Sequence, residues 1–153
     1  MAATLTRRTK NAAIVVMGNS IALYNPPLRV AEEFAMLDIL SGGRLVAGFP
    51  VGTSMDTNYA YGVPGAQLRD RYYEAHDLIM QAWHDKGVSH FNGKYNQVRY
   101  MNPWPRPLQQ PVGQGRGGVV QIGQRRRVAV ITGHRARGLA VHEQRELRRR
   151  PAN

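Results

Sequence analysis

Large apolar residues recur every three or four positions between residues 25 and 41, which predicts a helix with one buried face. We expect Asn25 to cap this helix and Pro26 to occupy its first turn, where a missing N–H group costs nothing. The apolar run at residues 45–49 is short and bounded by glycine, which is typical of a parallel strand covered on both faces. A similar run at residues 11–18 predicts a strand before the helix. Strand, helix and strand together indicate a β/α repeat.

The pattern that follows predicts a second helix and a hairpin. Residues 53–65 are polar and aromatic, with glycine and proline among them, which indicates a loop. Residues 66–86 carry large apolar side chains at helical spacing, which predicts an amphipathic helix. Asn92 and Gly93 separate residues 88–91 from residues 94–100, and this dipeptide is the strongest short hairpin signal in a sequence. A proline-rich, extended connector follows at residues 101–111.

The order of these elements predicts an α/β fold with parallel strands. The 153 residues are enough for one domain but too few for a complete (β/α)8 barrel. No apolar stretch approaches the ~20 residues that span a bilayer, and no signal-peptide pattern is found at the start. The absence of cysteine excludes disulfides, thiolate metal ligands and a cysteine nucleophile. We therefore expect a cytoplasmic protein.

The net charge of +11 comes mostly from the last part of the chain. Residues 1–111 contain 11 Lys and Arg against 8 Asp and Glu, whereas residues 112–153 contain 10 Arg against 2 Glu. The second segment also lacks Lys, Asp and every aromatic residue. One interpretation is a disordered basic arm for nucleic acid. We favour the other, a segment read out of frame from GC-rich DNA, and expect a partial domain at 1–111 followed by a disordered or non-native tail at 112–153.

The two predicted strands end in similar sequences, Met-Gly-Asn-Ser at residues 17–20 and Phe-Pro-Val-Gly-Thr at residues 49–53. In β/α barrels the active site is built from the loops after the strands, so both segments would lie on that face. Gly18 and Gly52 would let a planar ligand or a phosphate approach the backbone. Spacing alone favours the plainer interpretation, in which these glycines only make tight turns.

The remaining polar candidates are interpreted as structural. His76 and His84 are eight positions apart on one predicted helix, which is not the spacing of a metal-binding pair. With His90, they are expected to be solvated or hydrogen-bonded. Asp38 is expected to pair with Arg44 just after the first helix. We find no phosphate-binding loop, nucleophile elbow or zinc-protease motif in the sequence.

A family resemblance is carried by residues 25–52, NPPLRVAEEFAMLDILSGGRLVAGFPVG, which resemble the luciferase-like, flavin-dependent monooxygenases. The block LDILSGGR, between a proline-opened helix and a strand ending in glycine, is specific to that family. RRTKNAAIVVMGN at residues 7–19 resembles the third strand of its barrel, and residues 90–111 resemble the approach to the next strand. The resemblance covers about residues 1–111. It implies a partial (β/α)8 TIM barrel, about strands three and four with their helices and a hairpin.

The resemblance also implies a cofactor, reduced FMN or in some branches a deazaflavin, which activates O2 or transfers hydride to a small-molecule substrate. In the family the flavin ring rests against the exit of the third strand, often at a non-proline cis peptide bond, which maps onto Gly18–Asn19. The exit of the fourth strand lies near the flavin phosphate or the substrate. The residues expected to bind the cofactor are therefore Met17, Gly18, Asn19, Pro50, Val51, Gly52 and Thr53. No catalytic residue is assigned, and no metal or membrane is expected.

The chain departs from the family's pattern at both ends. The family has two β/α units before this point, and it continues into a fifth strand where the Arg-rich segment stands here. The resemblance thus implies a monooxygenase whose present chain is a fragment, weakly active or inactive, with uncovered strand edges. Two alternatives stay open: a basic-tailed nucleic-acid-binding module, which the lack of aromatics in the tail disfavours, and a non-catalytic partner subunit. A homodimer also stays open.

Overall fold

The computed structural model describes residues 1–52 and 54–109, together with the backbone of residues 119–120. In chain order its helices and strands are α1 (Ala2–Arg8), β1 (Ile14–Met17), α2 (Leu28–Ser41), β2 (Leu45–Gly48), α3 (Met55–Ala60), α4 (Leu68–His84), β3 (Ser89–Asn92), β4 (Gln97–Met101) and β5 (Val119–Val120). Single 3-10 turns lie at Ile21–Leu23 and Gly65–Gln67. Apart from β5, the predictions for residues 112–153 lie outside the described residues.

β1 and β2 form a parallel pair, as the two apolar runs predict. The pairing extends from Ile14 opposite Leu45 to Met17 opposite Gly48, so both strands end at the same edge of the sheet. β5 pairs with the other side of β2 and runs antiparallel to it. All four residues of β2 are buried, which fits its uninterrupted apolar sequence.

β1 is less covered than β2. Alternate residues of a strand face opposite sides of the sheet. Ile14 is part of the hydrophobic core, whereas Val15 and Met17 on the opposite face are 46% and 57% exposed. In the described part of the chain, β1 pairs with β2 and with no other strand. Among the described residues, one edge and one face of β1 are therefore uncovered.

The helices α2 and α4 pack against each other to cover the other face of the sheet, as their apolar spacing predicts. The indole Nε1–H of Trp83 donates a hydrogen bond to the carbonyl of Ala31 at 3.0 Å, which ties the two helices together. The largest fully buried side chains are those of Trp83, Phe34, Phe49, Ile21, Leu45, Leu78, Ile79, Met101 and Val30. None of the described helices is long and apolar enough to cross a membrane.

The predicted start of the first helix is wrong. α2 begins at Leu28, with Pro27 rather than Asn25 at its N-cap and no side-chain cap. A residue that precedes proline is disfavoured in the helical conformation, and both Asn25 and Pro26 precede a proline. The predicted end is confirmed, because Gly42 follows the helix in the left-handed conformation with φ 66°.

The segment predicted as a loop at residues 53–65 contains the short helix α3. The hydroxyl of Ser54 caps this helix by accepting a hydrogen bond from the N–H of Thr57 at 3.3 Å. The N–H of Val63 then donates to the carbonyl of Asn58 at 2.9 Å and closes the segment. The sequence prediction missed α3 because its six residues are too few to show a hydrophobic period.

The hairpin is confirmed, but its turn is not a two-residue Asn-Gly turn. Asn92 pairs with Gln97, so residues 93–96 connect β3 to β4. The carboxylate of Glu74 on α4 accepts hydrogen bonds from the three consecutive backbone N–H groups of residues 94–96. The turn is therefore shaped by an acceptor that lies outside the hairpin.

The predicted pair of Asp38 and Arg44 is wrong. Asp38 is fully buried and accepts hydrogen bonds from the backbone and side-chain amides of Gln109. Arg44 donates instead to backbone carbonyls between residues 6 and 12, and so joins the end of α1 to the start of β2. Both residues do have structural roles, but their partners lie too far along the chain for a local pattern to identify.

Candidate functional site

The ends of β1 and β2 bring the two candidate site segments side by side. Met17 pairs with Gly48, so residues 17–20 and residues 49–52 leave the sheet at the same edge. A Cβ atom on Gly48 would lie only 2.9 Å from Cγ of Met17. Glycine at this position therefore allows the two strand ends to approach each other closely.

Open space lies over the backbone of both strand exits. A Cβ atom on Gly18 or Gly52 would meet no heavy atom of the described residues within 4 Å. Gly18 also has a φ of 131°, a conformation that side chains of L-residues rarely adopt. Six of the expected site residues lie at or directly after the paired strand ends at this edge. They are Met17, Gly18, Asn19, Pro50, Val51 and Gly52. Thr53 lies outside the described residues.

The peptide bond between Gly18 and Asn19 is not cis. Among the described residues, the cis peptide bonds are those that precede Pro26 and Pro105. The non-proline cis bond that the family often has at this position is therefore not found at Gly18–Asn19. The positive φ of Gly18 redirects the backbone there instead.

A buried aromatic cluster lies beneath the exit of β2. The ring centroid of Phe49 is 5.1 Å from that of Phe34 and 6.5 Å from that of Trp83. The carbonyl of Phe49 accepts a hydrogen bond from the hydroxyl of Tyr72 at 3.0 Å. Tyr72 in turn stacks on the ring of His76 at 6.4 Å. Helical spacing predicted that Tyr72 is buried, but no sequence signal indicated that it bonds to the strand exit.

Tyrosines border the loops that follow the two exits. Tyr24 comes after β1, whereas Tyr59 and Tyr61 come after β2, in α3 and at its end. Burial raises the pKa of Tyr24, and the nearby ionisable groups of Glu33 and Tyr61 raise it further. Tyr59 and Tyr61 are largely exposed.

The histidines do not contribute to a metal site within residues 1–52 and 54–109, where no group of three or more metal-ligating side chains is found. Nδ1 of His84 lies 2.7 Å from the carbonyl of Met80, one turn earlier in α4. Nδ1 of His76 lies 3.7 Å from the carboxylate of Asp77. The contact of His84 agrees with its structural interpretation. The expectation that His76 is solvated or hydrogen-bonded is not met at Nε2, which is buried and has no hydrogen-bond partner among the described residues.

Comparisons with known proteins identify the family. The chain belongs to the luciferase-like monooxygenases, whose family model matches residues 1–149. The uncharacterized protein y4wF of Sinorhizobium fredii is 29% identical over 109 residues, which are 71% of this chain and 31% of that protein. The resemblance found in the sequence is thus confirmed, and the family model extends beyond residue 111.

Solved structures agree with this assignment. The monooxygenase RslO1 from Streptomyces bottropensis matches with a TM-score of 0.65 and 26% identity, over 72% of this chain and 33% of that one. The oxygenating constituent of 3,6-diketocamphane monooxygenase from Pseudomonas putida, in complex with FMN, matches with a TM-score of 0.58 and 21% identity, over 72% and 29%. At that identity, the second match shows the fold alone. The chain spans about a third of the length of the proteins it matches.

Proposed function

We propose that this chain carries part of the flavin site of a luciferase-like monooxygenase, which uses reduced FMN and O2 to oxidise a small organic substrate. The observation that carries the proposal is the pairing of Met17 with Gly48, because it brings two open, glycine-containing strand exits together. Family membership supplies the class of reaction. The FMN complex of a structural relative favours FMN over a deazaflavin.

The residues at the exits suit a flavin. A planar ring system needs backbone that it can approach, and the open space over Gly18 meets this need. The amide side chain of Asn19 both donates and accepts hydrogen bonds. The backbone N–H groups of Val51 and Gly52 suit a phosphate or a polar substrate group. When bound, reduced flavin supplies the electrons for the reduction of O2, and the residues of this chain bind and orient it.

The side chain of Met17 and the ring of Pro50 give the same site exposed apolar surface beside these polar groups. Thr53 is proposed as a further flavin contact from its sequence position alone. The proposed contacts are thus the seven expected from the sequence, and they all belong to the two strand exits.

We further propose that β1 and β2, with α2 and α4, are two units of a (β/α)8 barrel. The parallel pairing and the uncovered edge of β1 support this assignment. Because the chain spans about a third of its relatives, the remaining units would supply the rest of the site. The chain by itself is therefore expected to bind flavin weakly and to have little or no turnover.

A role as a non-catalytic partner subunit is the second candidate, and the uncovered β1 favours it. Its sequence, Ile-Val-Val-Met, has neither charge nor proline, so nothing in it opposes pairing with another strand. Size-exclusion chromatography at several concentrations tests this role. A defined oligomer supports it, and a monomer at every concentration contradicts it. The nucleic-acid alternative concerns residues 112–153, which lie outside the described residues apart from β5.

Titration of the whole chain with FMN tests the proposed function. We expect weak but saturable quenching of flavin fluorescence, with an affinity that falls at least tenfold in Gly52→Val. Gly87→Val is the matched control, because a Cβ atom on Gly87 also meets open space but lies far along the chain from either exit. The absence of saturable binding, or an equal loss in both variants, would contradict a flavin site at the strand exits.

A further inference from the structure

We infer that Tyr72 is a positioning residue for this site, because its hydroxyl group fixes the direction in which residues 50–52 leave β2. The inference deepens the proposed function and rests on it for the identity of the ligand. The positioning itself rests on contacts between described residues.

The peptide unit between Phe49 and Pro50 has a single group that can form a hydrogen bond. Proline has no N–H, so only the carbonyl of Phe49 is available. The hydroxyl of Tyr72 donates to this carbonyl at 3.0 Å, and both residues are buried. The bond to Tyr72 is therefore the means by which the core controls the orientation of this peptide unit.

Packing of the Phe49 side chain does not achieve the same control. Its ring is held between Phe34 and Trp83, which fixes the position of the residue in the core. Rotation about ψ of Phe49 could still turn the following peptide plane, because ψ is one of the two soft backbone torsions. The hydrogen bond from Tyr72 restrains that rotation.

The restraint is passed on to the candidate site by Pro50. A peptide unit is rigid, so a fixed carbonyl fixes the position of the Pro50 nitrogen. The proline ring then fixes the next φ near −65°. The Tyr72 bond thus restrains the start of the exit, as far as φ of Pro50, and limits the directions in which the N–H groups of Val51 and Gly52 can point.

The ring of Tyr72 contacts two other ring side chains of its own helix. Its ring meets the ring of Tyr73 edge-on at 5.5 Å and stacks on His76 at 6.4 Å. Two residues further along, Glu74 binds the turn of the β3–β4 hairpin. The part of α4 that carries the hydroxyl group is therefore joined to a second element of the fold.

Tyr72→Phe isolates the role of the hydroxyl group, because it keeps the buried ring. The matched control is Ser41→Ala, which removes another buried hydroxyl group with hydrogen bonds, but beside the start of β2 rather than its exit. Two readouts are measured on the full chain: the 1H–15N resonances of Val51 and Gly52, and the dissociation constant for FMN.

In Tyr72→Phe we expect the resonances of Val51 and Gly52 to move and broaden, and the dissociation constant for FMN to rise roughly fivefold, as a lost hydrogen bond of about 1 kcal/mol implies. Ser41→Ala should leave both readouts unchanged. Unchanged exit resonances in Tyr72→Phe would overturn the inference, whether or not FMN binds. Moved resonances in a chain that binds no FMN would support the positioning and overturn the flavin function instead.

Pro50→Ala provides a second variant in case Tyr72→Phe does not fold. Pro50 is exposed, so its replacement should leave the core intact while it frees the φ angle after the Tyr72 bond. We expect broadened Val51 and Gly52 resonances in this variant as well. Resonances as sharp as those of the unchanged chain would show that the exit is held by something other than the chain of restraints from Tyr72, and would overturn the inference.

Discussion

The carboxylate of Glu74 occupies the space in which a side chain on Gly93 would begin. A Cβ atom on Gly93 would overlap the carboxylate group. The same carboxylate accepts hydrogen bonds from the N–H groups of Lys94, Tyr95 and Asn96. Glycine thus permits a close approach through which α4 holds the turn of the hairpin.

Replacement of this glycine should detach the turn from α4. For Gly93→Ala we expect a loss of about 1–3 kcal/mol in the free energy of unfolding, because the displaced carboxylate leaves several N–H groups without their acceptor. Urea unfolding followed by circular dichroism measures the loss. Gly87→Ala, with open space around its Cβ position, is the control and should change the free energy little. Equal effects of the two substitutions would contradict the role of the close approach.

The contact of Glu74 with the turn should make stability depend on pH. Burial, the largest single effect on this group, raises its pKa, but the hydrogen bonds from Tyr95, Asn96 and Lys94 together outweigh it and lower the pKa below its ordinary value. The carboxylate therefore contributes its full stability above the pKa of the unfolded chain. That contribution is lost as the pH falls through the lower pKa of the folded state.

Unfolding free energies measured between pH 6 and pH 3 test this dependence. The chain with Glu74 should lose stability over the acidic part of this range, and Glu74→Gln should lose less because it has no proton to gain there. Glu32→Gln, which removes a carboxylate that pairs with Arg29 but does not contact the hairpin turn, should keep the pH dependence that comes from Glu74. Parallel curves for all three proteins would show that the Glu74 contact does not contribute.

The hydrogen bonds between Asp38 and Gln109 should contribute strongly to the stability of the fold. Asp38 is fully buried, and it accepts a hydrogen bond from the backbone N–H of Gln109 at 2.9 Å and another from its side chain. Asp38→Asn presents an amide that cannot replace both acceptor oxygens, and we expect a loss of about 1–3 kcal/mol. Asp77→Asn, whose side chain is 76% exposed, is the control for thermal unfolding. A cost no greater than that of the control would contradict the structural importance of this pair.

The uncovered strand β1 should promote self-association. Val15 is exposed on its open face, so Val15→Lys should leave the unfolding free energy within about 0.5 kcal/mol while it adds a charge that opposes strand pairing. Sedimentation velocity should show less association for Val15→Lys than for Val88→Lys, which replaces another exposed valine. Equal association of the two variants would show that a surface other than β1 causes the self-association.

Hydrophobic periods were enough to predict the elements that build the core. The hydrophobic pattern can be read directly in four elements, β1, β2, α2 and α4, because each is long enough or apolar enough. The start of α2 was mispredicted because two successive prolines exclude Asn25 and Pro26 from the helix. α3 was not predicted, because this short helix is marked by one N-cap serine within a polar segment and has no hydrophobic period.

Contacts between distant residues could not be predicted in the same way. The acceptor that shapes the hairpin turn comes from Glu74, about twenty positions before the turn. The partner of Asp38 is Gln109, at a separation of 71 residues. At the candidate site, glycine and proline marked the strand exits. Nothing in the sequence indicated the hydrogen bond from the Tyr72 hydroxyl to the Phe49 carbonyl, because both residues can be recognised there only as core aromatics.

Mapping FMN on the chain by NMR tests the proposed flavin site most directly. Addition of FMN to the 15N-labelled chain should shift the resonances of Gly18, Asn19, Val51 and Gly52, which lie at the two adjoining strand exits. The resonances of residues 93–96, in the hairpin turn, should stay in place. Shifts confined to the hairpin or spread evenly over the chain, or no shifts at millimolar FMN, would contradict a flavin site built on the paired ends of β1 and β2.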